Sequence, residues 1–520
     1  MRKNKMIRRS VKMFGFAVIA LLPLRLEAAV FTWDAGTSGG NGSHPTSPQD
    51  GYGTWSTANS NWSSGSADAV WTSSTSNSAT IGSNNNVVSG VQDITMGGAI
   101  TLGNITFGAV NSGSYDIIGT SANTLGMTGS TPTVTVNSSV TAEIDAAIAV
   151  TGSQPDLTVN GAGTLDMNPT VEGGNYHGII LGGTSNVVLL SAAAVPIAIP
   201  NNNSAANFDG GTLTFAATPS TDVSGRFTTT GSSAENIGVT SGAVVTFGTP
   251  LGGSGGLNVS GSGSGSTLKL TESSGSQVAF SGSGGVNVNG GTLYLTGNNN
   301  NEVGSNAVTV GANGVLSSDS TKFVTTGATI VNGKITGGSG ALSGNTYGNM
   351  HLSATTFGAT GGYVWKLNTA PTTAYHSGSI VNSVMTGGSL NGNSLTNFDT
   401  LFMSSLTDTA SGFSISLVPT VGGGTALASG TYEFAIANTA SGTFNTANFS
   451  YSGFTLADVA DSSLSAANNG GVNSELDGGT GQDLVLIYND NVPEPMGSSL
   501  LIGTALLPLM FGRRCRKLVA

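Results

Sequence analysis

Residues able to do chemistry are sparse in this chain, and their spacing decides what each could do. Gly36-Thr37-Ser38-Gly39-Gly40 and Gly252-Gly253-Ser254-Gly255-Gly256 both fit the G-x-S-x-G elbow of a serine nucleophile. That elbow needs a strand-turn-helix setting with His and Asp partners, and no helical pattern surrounds either copy. With 79 glycines in 520 residues, such matches follow from composition. Gly478-Gly479-Thr480-Gly481-Gln482-Asp483-Leu484-Val485-Leu486 fits a calcium-binding nonapeptide. Those sites form between tandem copies, each turn supplying part of the oxygen shell, and this copy stands alone. It reads as a turn into a strand. Glu143 and Asp145 lie two apart, on one face of a strand with Ile144 pointing the other way. Paired carboxylates suit acid/base work on a glycan, but Arg226, the sole arginine between the two chain ends, is flanked by Ser224-Gly225 and Phe227-Thr228. A solvated face is the preferred reading of the pair. His44, His177, His351 and His376 show no metal-ligand spacing, and Glu172 with Tyr176-His177 is the best remaining trio. No catalytic, cofactor-binding or metal-binding residue is assigned.

The elements that would position these groups are strands. From residue 90 to 345 the chain repeats a Gly or Asn turn followed by three to five residues alternating apolar and polar. Ile105-Thr106-Phe107, Val134-Thr135-Val136, Leu257-Asn258-Val259, Leu268-Lys269-Leu270, Val286-Asn287-Val288 and Val308-Thr309-Val310 are examples. A period of two bounded by Gly and Asn is the strand signature. Leu268 and Leu293 are 25 residues apart, and Val286 and Val308 are 22 apart. Short strands recurring at that interval predict the coils of a right-handed parallel β-solenoid, each strand pairing with its equivalent in the next coil. From 346 to 490 the strands lengthen, as in Phe413-Ser414-Ile415-Ser416-Leu417 and Tyr432-Glu433-Phe434-Ala435-Ile436. This segment is expected to form a β-rich C-terminal module that closes the open edge, with Phe398, Phe402, Phe413, Phe434 and Phe444 in its core.

Both ends read as addresses. Arg2, Lys3, Lys5, Arg8, Arg9 and Lys12 precede an apolar run from Met13 to Leu24 and small residues at Ala28 and Ala29, a secretory signal peptide over 1–28. At the other end, over 491–520, Val492-Pro493-Glu494-Pro495 is followed by an apolar run from Met496 to Phe511. Arg513, Arg514, Arg516 and Lys517 come after it. That run would be about 24 Å long as a helix, a short transmembrane span with its basic end held in the cytoplasm. Between the signals only Arg226, Lys269, Lys322, Lys334 and Lys366 remain to face 25 acidic residues. So acidic a body repels nucleic acid, and five cations cannot line a phosphate track. The only cysteine, Cys515, lies in the basic tail, so the body has no disulfide and must be stabilised by a long continuous core.

The C-terminal arrangement resembles the PEP-CTERM sorting domain of Gram-negative bacteria. Pro493, Glu494 and Pro495 match its motif, and Arg513, Arg514, Arg516 and Lys517 match its tail. The resemblance implies recognition by a membrane protease, exosortase, with transient anchoring in the inner membrane through the C-terminal helix. The body is similar to the autotransporter-associated β-strand repeats that many such proteins carry. Gly210-Gly211-Thr212-Leu213-Thr214-Phe215 and Gly290-Gly291-Thr292-Leu293-Tyr294-Leu295 are two copies. Thr32-Trp33-Asp34, Trp55, Asn61-Trp62 and Trp71, within 29–89, look like the Trp-rich start found ahead of the first coil. Together these imply an exported, non-enzymatic surface or matrix protein, structural or adhesive, in the extracellular polysaccharide of a biofilm. The alternative is a β-helix that binds or cleaves glycans.

Overall fold

The computed structural model describes residues 28–35, 44, 46–85, 88–110, 112–151, 156–169, 178–195, 206–227, 232–271, 279–296, 302–318, 324–338, 349–367, 399–408, 412–419, 430–439, 441–442, 448–450, 455–460 and 482–490. They are all-β with almost no helix, and their strands stack as a parallel β-solenoid. The predicted signal peptide and the whole C-terminal sorting signal lie outside the described residues. Among the described residues no helix is long and apolar enough to cross a membrane.

Alternation builds each strand. In Val91–Met96 exposed and buried residues alternate strictly, with Ile94 and Met96 inside. Thr133–Val136, Thr164–Met167 and Thr212–Phe215 each point their second and fourth residues inward. Successive side chains leave opposite faces of a strand, so one face of every coil joins the core and the other meets water. Stacking the coils merges the inward residues into one hydrophobic cluster that runs from Phe31 to Phe449.

Three faces organise the first coils. One stacks Val30–Trp33, Ser78–Ile81, Asn104–Phe107, Thr133–Val136, Leu157–Gly161, Ile179–Gly182 and Asn207–Asp209, all neighbours parallel. A second stacks Ile100–Leu102, Leu125–Thr128 and Ile148–Thr151. The third begins at Gly53–Trp55 and continues through Val91–Met96, Ser114–Ile118, Thr141–Ile144, Thr164–Met167, Asn186–Leu189 and Thr212–Phe215. The sequence intervals read as coil repeats are direct pairings: Leu268 opposes Leu293, and Val286 opposes Val308. In Val286–Thr296 and Val308–Ser318 two short strands have fused into one of 11 residues. The two halves of Val286–Thr296 pair with different strands of the preceding coil.

Parallel stacking continues beyond residue 345, where Asn349–Phe357 pairs with Thr400–Asp408 and Gly362–Leu367 pairs with Phe413–Pro419. Antiparallel pairing enters at Gln482–Asp490, which lies against Gly430–Thr439 and Thr455–Ala460. Of the predicted core aromatics, Phe402 and Phe413 are buried. Phe398 and Phe444 lie outside the described residues, and the side chain of Phe434 is likewise not described.

The N-terminal end is closed by aromatic packing. Val30–Trp33 pairs antiparallel with Trp62–Ser63, which pairs antiparallel with Asp68–Ala69. Trp62 sits among Trp33, Trp55 and Trp71 with ring centroids 5.1, 4.8 and 4.9 Å away. Asp50, fully buried, accepts bonds from the Ser83 and Asn84 backbone N–H groups at 2.7 and 2.9 Å and from the Tyr115 hydroxyl at 3.0 Å. It ties the first turn to the next coils.

Candidate functional site

Four carboxylates share one outward file on the third face. Asp93 opposes Asp116, Asp116 opposes Glu143, and Glu143 opposes Asp166. Each stands beside a buried anchor of the same coil: Ile94, Ile117, Ile144 and Met167. Strands in register lie about 4.7–4.9 Å apart, so the carboxyl groups are stacked closely enough to repel one another. Beyond Asp166 the same place is held by Val188, which ends the acidic run.

Asp145 joins them from the corner after Thr141–Ile144. Its backbone N–H donates to the Ile117 carbonyl at 3.0 Å, and its charge acts on both Asp116 and Glu143. Asp116 is 7% exposed, and its Oδ1 has no hydrogen-bond partner, nor has Oδ1 of Asp145. Among the described residues no lysine or arginine forms an ion pair with this file.

Burial and mutual repulsion hold protons here. Burial pushes the Asp116 carboxyl up to about 6, with Asp145 and Asp93 adding to the shift. Glu143 is pushed up to about 7 by burial first and then by Asp116, Asp145 and Asp166. Burial also raises Asp166. A carboxyl that keeps its proton near neutrality beside ionised neighbours can donate it or take it back, the division of labour that acid/base chemistry needs. Among the described residues no three His, Cys, Asp or Glu are placed to hold a metal ion.

These shifts predict a pH profile. In the unfolded chain such carboxyls titrate near 4. In the fold Asp116 is pushed up to about 6 and Glu143 to about 7, and buried Glu235 is pushed up to about 8 by the same desolvation. The folded chain therefore binds more protons across this window, and stability falls as pH rises from about 4 through 8. Thermal melts should show Tm falling over that range. Glu143→Gln should raise Tm at pH 8 and flatten the profile. A wild-type Tm that holds or climbs from pH 5 to 8 would sink this account.

The other candidates are dispersed. His44 lies 3.7 Å from Asp34, on the opening turn. His351, in Asn349–Phe357, packs on Phe402 with ring centroids 4.4 Å apart. Arg226 ends a short 3-10 turn, Ser224–Arg226. Gly252 to Gly256 forms the bend entering Leu257–Gly261, with no helix after it. Glu172, Tyr176, His177, His376, the first G-x-S-x-G stretch and the glycines of the nonapeptide lie outside the described residues, as do Val492, Pro493, Glu494, Pro495, Arg513, Arg514, Arg516 and Lys517. Asp483 falls in the closing strand Gln482–Asp490.

Of the carboxylate file, sequence reasoning singled out Glu143 and Asp145 and missed Asp93, Asp116 and Asp166. A signal was present: Gln92-Asp93-Ile94, Tyr115-Asp116-Ile117, Ala142-Glu143-Ile144 and Leu165-Asp166-Met167 each place one acid just before an inward aliphatic. No known protein family's sequence profile matches the chain, and no curated protein or solved structure matches it either.

Proposed function

We propose that this chain is an exported structural or adhesive protein of the cell surface or extracellular matrix, delivered by its N-terminal signal and sorted by its C-terminal one. The observation that carries the reading is the continuous core under regular polar files. One core cluster runs along the coils, while outside it Asn287 donates to Asn258 at 2.9 Å and Asn258 donates to Asn236 at 2.7 Å. Thr32, Thr80, Thr106 and Thr135 form a second file on the first face. A stack of this kind extends by repetition and presents the same hydroxyl and amide groups many times, which suits scaffolding and weak multivalent contact with polysaccharide. In this reading Pro493, Glu494, Pro495 and the tail Arg513, Arg514, Arg516 and Lys517 direct an exosortase-type protease. The apolar run between them holds the chain in the inner membrane until cleavage.

The test is processing and location. Pro493→Ala with Glu494→Ala should leave an uncleaved, membrane-held form in place of the surface-labelled one. Unchanged processing and surface labelling would overturn the sorting part of the proposal.

The carboxylate file favours a second reading, a glycan-cleaving solenoid in which Glu143 holds the proton and an ionised neighbour such as Asp116 assists. Incubation with a panel of polysaccharides decides between them. Products formed by the wild type and lost in Glu143→Gln would favour cleavage, whereas retention of polysaccharide without products would favour the structural role.

A further inference from the structure

The body's few cations are expected at the surface, where lysine is almost always found. Lys366 breaks that rule. It is fully buried near the end of Gly362–Leu367, and its Nζ lies 3.8 Å from Oδ2 of Asp399, which is also fully buried. Both backbones are pinned: the Asp399 N–H donates to the Lys366 carbonyl at 3.0 Å, and the Trp365 indole N–H donates to the Asp399 carbonyl at 2.7 Å. Both side chains are oriented as well. Lys366 Nζ donates to the Gly337 carbonyl at 2.5 Å, and the Thr336 hydroxyl donates to Asp399 Oδ2 at 3.4 Å.

We propose that Lys366 and Asp399 become joined by an intramolecular amide, a covalent staple across residues 367–398. The chemistry needs no oxidant and no cofactor. The Nζ lone pair attacks Cγ of the protonated Asp399 carboxyl, forming the C–N bond. One carboxyl oxygen departs as water, taking the carboxyl proton and one proton from nitrogen. The products are an amide and one water, with no change of oxidation state.

The surroundings favour that reaction over a lasting ion pair. Burial drives the Lys366 amine toward its neutral, nucleophilic form, against the pull of Asp399. In a low-dielectric site, passing the proton from ammonium to carboxylate yields the neutral amine and acid that condense, and two desolvated charges are costly to keep. The Tyr363 hydroxyl, fully buried and without a hydrogen-bond partner, is close enough to feel the charge of Asp399, which adds to the cost of keeping that carboxyl ionised. Fixed geometry supplies the proximity that makes an otherwise slow condensation feasible. The staple would do in this body what a disulfide cannot, since the only cysteine is Cys515. Closing the loop removes freedom from the unfolded chain.

Mass spectrometry of the full chain tests this directly. After denaturation and proteolysis, the wild type should yield one branched peptide carrying both Lys366 and Asp399, lighter by one water than its two parts. Lys366→Met and Asp399→Ala should each yield only the linear peptides. An ion pair does not survive denaturation, so recovery of separate linear peptides from the wild type at full yield would overturn the proposal, whether or not the variants fold.

Discussion

Replacing Trp62 by alanine is expected to cost about 3–5 kcal/mol, the usual loss for a buried aromatic truncated in a packed core. Trp62 is fully buried and is the one ring in contact with three other tryptophans, Trp33, Trp55 and Trp71. Its removal leaves a cavity and abolishes three edge or tilted contacts, each worth about 0.5–1.5 kcal/mol beyond area. The chemistry of the indole sharpens the prediction. Nε1 of Trp62 is buried without a hydrogen-bond partner, whereas the Trp33 N–H donates to the Gly51 carbonyl at 2.8 Å. Trp62→Phe should therefore lose part of the packing but also relieve an unpaired donor, and should cost well under half as much as Trp62→Ala. Because stacked coils are stabilised through neighbours, the loss should appear first at the N-terminal end. Hydrogen exchange resolved by position checks it. Trp62→Ala should speed exchange over residues 46–110 more than over the strands beyond 286. Uniform acceleration along the chain, or equal costs for Ala and Phe, would refute the local account.

Gly161→Ala should be the most damaging single methyl added to a corner, at about 3 kcal/mol or more. Gly161 ends Leu157–Gly161 with φ of 98°, and a Cβ there would overlap the Val136 carbonyl oxygen of the coil beneath. Strain at such a φ accounts for about 1–3 kcal/mol, and displacement of a paired strand adds to it. Gly242 is the control. It has φ of 81° but open space where a Cβ would stand, so Gly242→Ala should carry only the conformational part. Chemical denaturation of the two variants separates strain from collision. Equal losses would mean that the close approach between coils at Val136 is unimportant.

These corners also mark what could be read without coordinates. Parallel in-register stacking puts like residues over like, so Leu268 over Leu293 and Val286 over Val308 appear as a period in the chain itself. Inward alternation was legible for the same reason: Leu257, Val259, Leu268 and Leu270 are all buried. Long strands after residue 346 were expected, but the longest, Val286–Thr296 and Val308–Ser318, come earlier by fusion of two short ones, and the architecture after 346 was not legible. Pattern alone does not say whether a long strand joins the parallel stack, as Asn349–Phe357 does, or crosses it antiparallel, as Gln482–Asp490 does. That depends on the path of each connection.

The carboxylates show where local reading stops. Glu143 and Asp145 were visible as neighbours, and Ile144 between them is indeed buried. Asp93, Asp116 and Asp166 reach Glu143 only because corners of different length bring one residue of each coil to the same height. Their raised pKa values follow from that convergence and from burial, neither of which is local. Lys366 and Asp399 are likewise distant in sequence, yet one backbone bond and one indole bond hold them together. The amino-acid sequence by itself determined the strand period, the inward residues and the acidic, cysteine-poor composition, because each is a matter of neighbouring residues. Tertiary structure alone decided which charges meet, since charges meet across coils, and corner lengths rather than residue types set that register.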